Sequence, residues 1–290
     1  MVLYAYPYEL AAHLIVSDED AADFLQSQFS NDLRPFSPGQ CTYGLWLDVK
    51  GKILADSWVL CEDEERFRIF SEHCDEQSIR EKLEHHIIAD DVEIESGEKM
   101  AALAAVGEEE GDLVAPLDDV LFSFPGRRSN RPSYELLFSD AAARSKWVEQ
   151  NACEIVSKEW IQKERMESGL ASVGFEVLSG DLPGEAGLVD SAVSLTKGCF
   201  LGQEVVARMH NVGRPQRGLY TIAGFGAPPE APCPAANAEG KALGELRTIV
   251  PAASGWTGVA MLKSRFVECG MELALGEGRA TVEANYVSRS

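Results

Sequence analysis

The sequence predicts an α+β protein that closes with a small β-barrel module. Helical apolar spacing alternates with short β-rich runs from Ser17 to Leu170, a turn-rich stretch fills 175–204, and the tail after 216 is short strands between turns. A length of 290 residues suits about two domains, and 45% apolar with 25% charged residues is enough to bury a real core.

Taken in order, "SDEDAADFLQSQFSND" (17–32) opens on Ser and acidic residues and then spaces its apolar positions as a capped helix does. "TYGLWLDVKGKILADSWVL" (42–60) is two β-rich runs around Lys50-Gly51-Lys52, a hairpin. "RFRIFS" adds a strand, "DEQSIREKLEHHII" an amphipathic helix and "DVEIESG" another strand. Periodicity weakens over 106–139, which reads as loops. "DAAARSKWVEQNA" and "SKEWIQKERMESGL" are two further helices, and "GQEVVARM" starts a short one. "APPEAPCPAANAEGKA" (227–242), dense in Pro, Ala and Gly, reads as a linker or long loop. "ALGELRTIV", "GWTGVAMLKS" and "GRATVEANYV" then supply barrel strands.

Composition excludes several functions. With 26 Lys and Arg against 47 Asp and Glu, the net charge is −21, which makes direct binding to nucleic acid phosphates unfavourable. An anionic ligand must enter through a local basic patch. The first 16 residues lack a basic n-region and a small-residue cleavage site, so they do not read as a signal peptide. No apolar run approaches a membrane span. Seven dispersed cysteines without C-x-x-C spacing argue against a disulfide framework or a zinc site and point to a reducing cytoplasm or organelle matrix.

The chemistry concentrates in "LTKGCFLGQEVVARMH" (195–210). Gly198 and Gly202 allow backbone that a side chain forbids and let a ligand come close. A helix starting near Gln203 would turn free N–H groups toward Cys199. Lys197, Arg208, His210, Arg214 and Arg217 form a basic cluster in an acidic chain, which would favour the thiolate and could also hold a carboxylate tail. The alternative is a buried turn cysteine with ordinary ion pairs around it. The five histidines (13, 73, 85, 86 and 210) sit in no cysteine-hydrolase motif, and Cys199 has no partners at metal-ligand spacing.

"KGCFLGQE" (197–204) resembles the K-G-C-[FY]-x-G-Q-E signature of the YgfZ family of folate-binding proteins, relatives of the glycine-cleavage T-protein. The likeness continues through 165–219, and "FLQSQFSNDL", "YGLWLDVKGKILADSWVL" and "ALGELRTIV" resemble other family segments. It is strong over 20–60 and 160–220 and weak over 62–158.

The resemblance implies three domains in a ring of the T-protein type, with tetrahydrofolate or a one-carbon derivative at the centre. Residues 1–215 would form two interleaved α+β domains and 216–290 the barrel. It implies an accessory protein for assembly or repair of iron–sulfur enzymes, including radical enzymes that modify tRNA. Its partners would be folate and iron–sulfur enzymes or assembly proteins, with no direct nucleic acid and no membrane, in the cytoplasm. Cys199 would be the essential residue, held by Lys197, Gly198, Gly202, Gln203 and Glu204, with Arg208 in the basic cluster beside it.

Trp160 falls where the family has a tryptophan against the folate, and a flat indole suits a flat ring. A core tryptophan on an amphipathic helix is the alternative. The family's second folate tryptophan has no counterpart, and His13 stands there. Glu185 matches a glutamate that faces the pterin, where a carboxylate can accept paired N–H donors. Asp56 matches an aspartate segment of the T-protein, with Ala55 in place of the first of two adjacent aspartates. Asp56 could equally end a strand in solvent. A folate-dependent aminomethyltransferase or methyltransferase using Asp56 and Glu185 is the competing activity, and a plain interaction scaffold is a third class.

Overall fold

The computed structural model describes residues 2–109, 119–213 and 215–286. The chain begins with β1 (Tyr4–Glu9), β2 (Ala12–Ser17), α1 (Ala21–Gln28), β3 (Cys41–Leu47), β4 (Ile53–Asp63) and β5 (Arg66–Ser71). Next come α2 (Glu76–Glu84), β6 (Glu93–Ser96), β7 (Ala101–Val106), β8 (Phe122–Pro125), β9 (Ser133–Phe138), α3 (Ala141–Gln150) and β10 (Glu154–Ile155). The turn-rich centre carries α4 (Lys158–Glu167), α5 (Pro183–Ala186), α6 (Val189–Ala192) and α7 (Gln203–Val212). The tail is β11 (Arg217–Gly224), β12 (Cys233–Ala236), β13 (Ala242–Ala252), β14 (Gly255–Lys263), a 3₁₀ turn (Ser264–Phe266), β15 (Glu272–Leu275) and β16 (Gly278–Asn285).

These strands make two open five-stranded sheets, β10-β1-β7-β9-β8 and β3-β4-β5-β2-β6, and a closed barrel β11-β14-β13-β12-β15-β16. The open sheets interleave along the chain, because β1 pairs with β7 and β10 while the next strand, β2, pairs with β5 and β6. No helix among the described residues is long and apolar enough to cross a membrane.

Local signals place three of the helix starts. Asp75 accepts the Ser78 N–H at 2.9 Å, Asp140 caps α3 and Ser157 caps α4. The helix expected from Ser17 begins four residues later, at Ala21, without a side-chain cap. Ser17 is the last residue of β2, paired with Arg66 and Glu93. Two expectations need correction. Part of the expected loop 106–139 is β8 and β9, whose strand character comes from pairing with β7 and with each other. Residues 110–118 of that stretch lie outside the described residues. The expected linker 227–242 contributes β12, which pairs with β13 and β15 and completes the barrel.

A buried ionic knot ties the open sheets together. Arg128, in the β8–β9 connection, holds Glu135 of β9 through two bonds of 2.8 and 3.1 Å and Glu72, just past β5, at 2.5 Å. The Tyr8 hydroxyl of β1 donates to Glu135 at 2.7 Å. Removing one partner of such a group strands a charge away from water. Arg128→Met is therefore expected to lose about 3–5 kcal/mol of unfolding free energy, measured by urea denaturation. A loss under about 1 kcal/mol would show that the knot is dispensable.

Candidate functional site

The stretch after α1 is a cradle for the cysteine loop. Ser30 Oγ donates to the Ala192 carbonyl at 2.6 Å and accepts the Leu45 N–H at 2.8 Å, while its own carbonyl accepts the Ser194 N–H. The Leu201 N–H reaches the Ser27 carbonyl at 3.1 Å. Between these ties the Lys197 ammonium donates to the Phe29 and Asn31 carbonyls at 2.7 and 2.8 Å. Lys197 is buried, and desolvation lowers its pKa from 10.5 to about 8. Phe200 anchors the other side of the loop in the core that joins β3, α4, α7 and the outer barrel wall.

Cys199 sits between these anchors and is exposed. Its neighbour Gly198 has φ +104 and open space where a side chain would go, so there only the backbone conformation requires glycine. Gly202 is different. It has φ +83, and a Cβ there would lie 2.6 Å from the Asp48 carbonyl oxygen and 2.9 Å from Gly51 Cα. The β3–β4 hairpin turn thus packs directly on the start of α7. Asp48 shapes that turn by accepting the Lys50 and Lys52 N–H groups, both at 2.8 Å. Gln203 opens α7 with its N–H on the Phe200 carbonyl, and Glu204, Arg208 and His210 lie exposed along the helix.

Two members of the basic cluster expected around the thiol are bound to other groups, while Arg208 and His210 are exposed on α7. Lys197 is committed to backbone carbonyls, and Arg217 binds Glu185 at 2.6 and 3.0 Å and Asp181 at 3.1 Å. Arg214 lies outside the described residues. Lys197 and Arg217 are thus committed to other oxygens.

Asp56 is buried on β4, not solvated at a strand end. Its neighbour Ala55 packs in the core shared by α1, α2 and the back of the sheet, whereas Asp56 joins Tyr43 on the opposite face. Tyr43 donates its hydroxyl to Oδ2 at 2.7 Å and the Cys74 thiol donates to Oδ1 at 3.3 Å. Desolvation raises the Asp56 pKa, partly opposed by these two bonds and by Arg127. Arg127 lies 3.9 Å above the Tyr43 ring and reaches Ser191 Oγ at 3.3 Å. Tyr43, Cys74 and Arg127 carried no motif in the sequence; only the fold brings them to Asp56.

Glu185 is buried at the other end of the α5–α6 segment. It lines a cavity of about 980 Å³ with Arg217, Tyr220, Lys263, Arg265 and Asn285, near the upper end of the roughly 300–1,000 Å³ typical of small-molecule sites. Its carboxylate is already held by Arg217. Cys199 is not part of this lining.

Trp160 packs instead on Tyr4, with ring centroids 4.7 Å apart, and Arg131 stands 5.6 Å from the indole. His13 is buried, bonded to the Glu98 carbonyl and 3.1 Å from Arg68.

Residues 10–125 match the family described as the GCVT N-terminal domain. The chain is 24% identical over 226 residues to the tRNA-modifying protein YgfZ of Colwellia psychrerythraea, covering 71% of this chain and 67% of that one. These matches support the resemblance of the chain to the YgfZ family. It is also 32% identical over 109 residues to the mitochondrial iron–sulfur cluster assembly factor IBA57 of Mus musculus, covering 34% and 28% of the two chains. The fold of this chain is that of the glycine cleavage system aminomethyltransferase T from Bartonella henselae. The TM-score is 0.79 at 18% identity, covering 98% of this chain and 86% of that one.

Two expectations test this geometry. Native protein treated with iodoacetamide should label Cys199 and Cys269, the exposed cysteines, well before Cys74, whose thiol burial pushes up to about 12. Peptide mass mapping that found equal rates would contradict the exposed loop. Lys197→Met should cost about 2 kcal/mol at pH 7.5, because two carbonyls lose their donor. Between pH 8 and 10.5 the native amine holds fewer protons than the unfolded one. Wild-type stability should therefore rise with pH relative to the variant across that window, read by urea unfolding at pH 7.5 and 9.5.

Proposed function

We propose that this protein is a tetrahydrofolate-binding accessory factor for the assembly or repair of iron–sulfur enzymes, among them tRNA-modifying ones, with Cys199 as its essential reactive group. One observation carries the reading. The thiol is exposed on an arch whose flanks are fastened by Lys197 and Phe200, so it faces outward to a partner and not into a closed cavity. A nucleophile meant for a large client needs that access. The names of the YgfZ and IBA57 relatives support the same role.

In this reading the folate occupies the cavity walled by Glu185, Tyr220 and the start of the barrel. The Glu185–Arg217 pair offers a carboxylate and a guanidinium, groups complementary to the amino-pyrimidinone edge and to a carboxylate respectively. Asp56 is held by Tyr43 and Cys74 inside the sheet, away from this lining. The competing one-carbon transferase would need the Asp56 carboxylate free for chemistry, and both of its oxygens are engaged.

Cys199→Ala should fold, keep wild-type affinity for tetrahydrofolate in calorimetric titration, and lose the in-cell activity of 4Fe–4S enzymes that depend on the protein. Full client activity in that strain would overturn the reading. So would turnover of a methylamine donor to methylene-tetrahydrofolate by the purified protein that Asp56→Asn abolishes.

A further inference from the structure

The end of the barrel away from Glu185 borders a second cavity, of about 500 Å³, within the roughly 300–1,000 Å³ range of small-molecule sites. Along the β11–β14 pair, Trp256 of this cavity stands opposite Gly224, whereas Lys263 of the Glu185 cavity stands opposite Arg217. Seven residues of strand, roughly 23 Å, separate the two positions. The two linings have no residue in common.

Most of the second lining is apolar, with Phe175, Ile249, Trp256, Pro228, Pro229 and Pro251 in its walls. One edge of the Trp256 indole is closed by Gly224, where a Cβ would lie 2.4 Å from Cε2 and 2.8 Å from Nε1. The indole nitrogen is buried, so the ring meets the cavity through carbon. The one charged lining residue, Arg247, is bound to Asp181, Glu245 and the Glu176 carbonyl. A charged ligand would lose water here and find no free counter-charge. The occupant is therefore uncharged.

Two polar groups in the wall lack partners. The Thr248 hydroxyl is buried and has no hydrogen bond among the described residues. Gln162, half-buried on α4, makes no side-chain hydrogen bond among the described residues. A carboxamide carries two donors and an acceptor, so another amide is its complement. An orphaned hydroxyl beside it favours a ligand with an acceptor oxygen. We propose that this cavity binds an uncharged, flat aromatic molecule bearing a carboxamide, with its ring against the aromatic walls and its amide paired to Gln162 beside Thr248.

The probe is indole-3-acetamide, followed in proton–nitrogen correlation spectra of the full chain through the Trp256 indole N–H, which Trp256→Phe identifies among the five tryptophans. That signal should shift saturably, with a Kd of about 1 mM or tighter for a ligand of this size. Indole, which lacks the amide, should bind about two- to tenfold more weakly. Indole-3-acetate, an anion, should bind at least about tenfold more weakly. Gln162→Leu should bring the acetamide-to-indole ratio near one and leave indole binding unchanged. Ile249→Trp, which fills the cavity, should abolish binding; the Gln162 variant, at a partly exposed position, carries the test alone if the barrel rejects the larger residue. Saturating tetrahydrofolate should leave the acetamide affinity unchanged.

No shift of the Trp256 signal overturns the proposal. So does equal affinity for the acetamide and either indole or the acetate, or an amide preference that survives Gln162→Leu. Displacement by tetrahydrofolate also overturns it, by making this cavity part of the folate site. Failure of tetrahydrofolate to bind bears on the folate reading alone and leaves this one standing.

Discussion

Residues 27–31, the end of α1 and the three residues after it, are tied to residues 192–201 through carbonyls, one serine hydroxyl and the ammonium of Lys197. The rest of the site follows from this strip of hydrogen bonds. It places α6 beside β3, brings Phe200 into the central core and leaves Gly202 pressed on the hairpin at Asp48. An ammonium without an ion pair is an unusual fastener, because its desolvation is only partly offset by two neutral acceptors. Its reach is what suits it here. A long stem crosses from the loop to the end of the helix, and the three donors at its tip can satisfy two carbonyls at once.

The same economy of charge runs through the interior. Buried carboxylates are the danger in so acidic a chain, and the ones near the site each have partners. Glu135 has Arg128 and Tyr8, Glu176 has Arg165, Asp181 has Arg247 and Arg217, and Asp56 has Tyr43 and Cys74. These pairings connect different layers of the fold, so they orient the sheets relative to one another as much as they neutralise charge. Among the described residues, buried Lys197 and Lys82 have no carboxylate in contact and donate to neutral oxygens instead.

Thiol and carboxylates therefore divide the work. Reactivity at sulfur needs access, and the arch supplies it. Glu185, fixed by Arg217, lines a cavity whose lining does not include Cys199. The chain has the architecture of an aminomethyltransferase, and its Asp56 carboxylate is hydrogen-bonded through both oxygens. At Ala55 the strand's two-residue period explains the departure from the paired aspartates: that position faces an apolar core, where a charge would be costly.

Much of this was legible in the residues themselves. The Asp75, Asp140 and Ser157 caps, the Lys50-Gly51-Lys52 hairpin and the spaced strands of the tail are local signals, since a helix start or a tight turn is stabilised by groups a few residues away. The glycines of the cysteine loop were readable for the same reason. What no local pattern could hold was partnership. Arg127 and Arg128 sit in a segment that reads as loop, β8 and β12 become strands only beside their neighbours, and Trp160 turns to Tyr4. A cation is committed to whichever oxygen the folded chain brings closest. The sequence thus determined the chemical groups and the local bends, while the tertiary structure alone decided which charges are neutralised, which residues wall each cavity, and that the sulfur faces out.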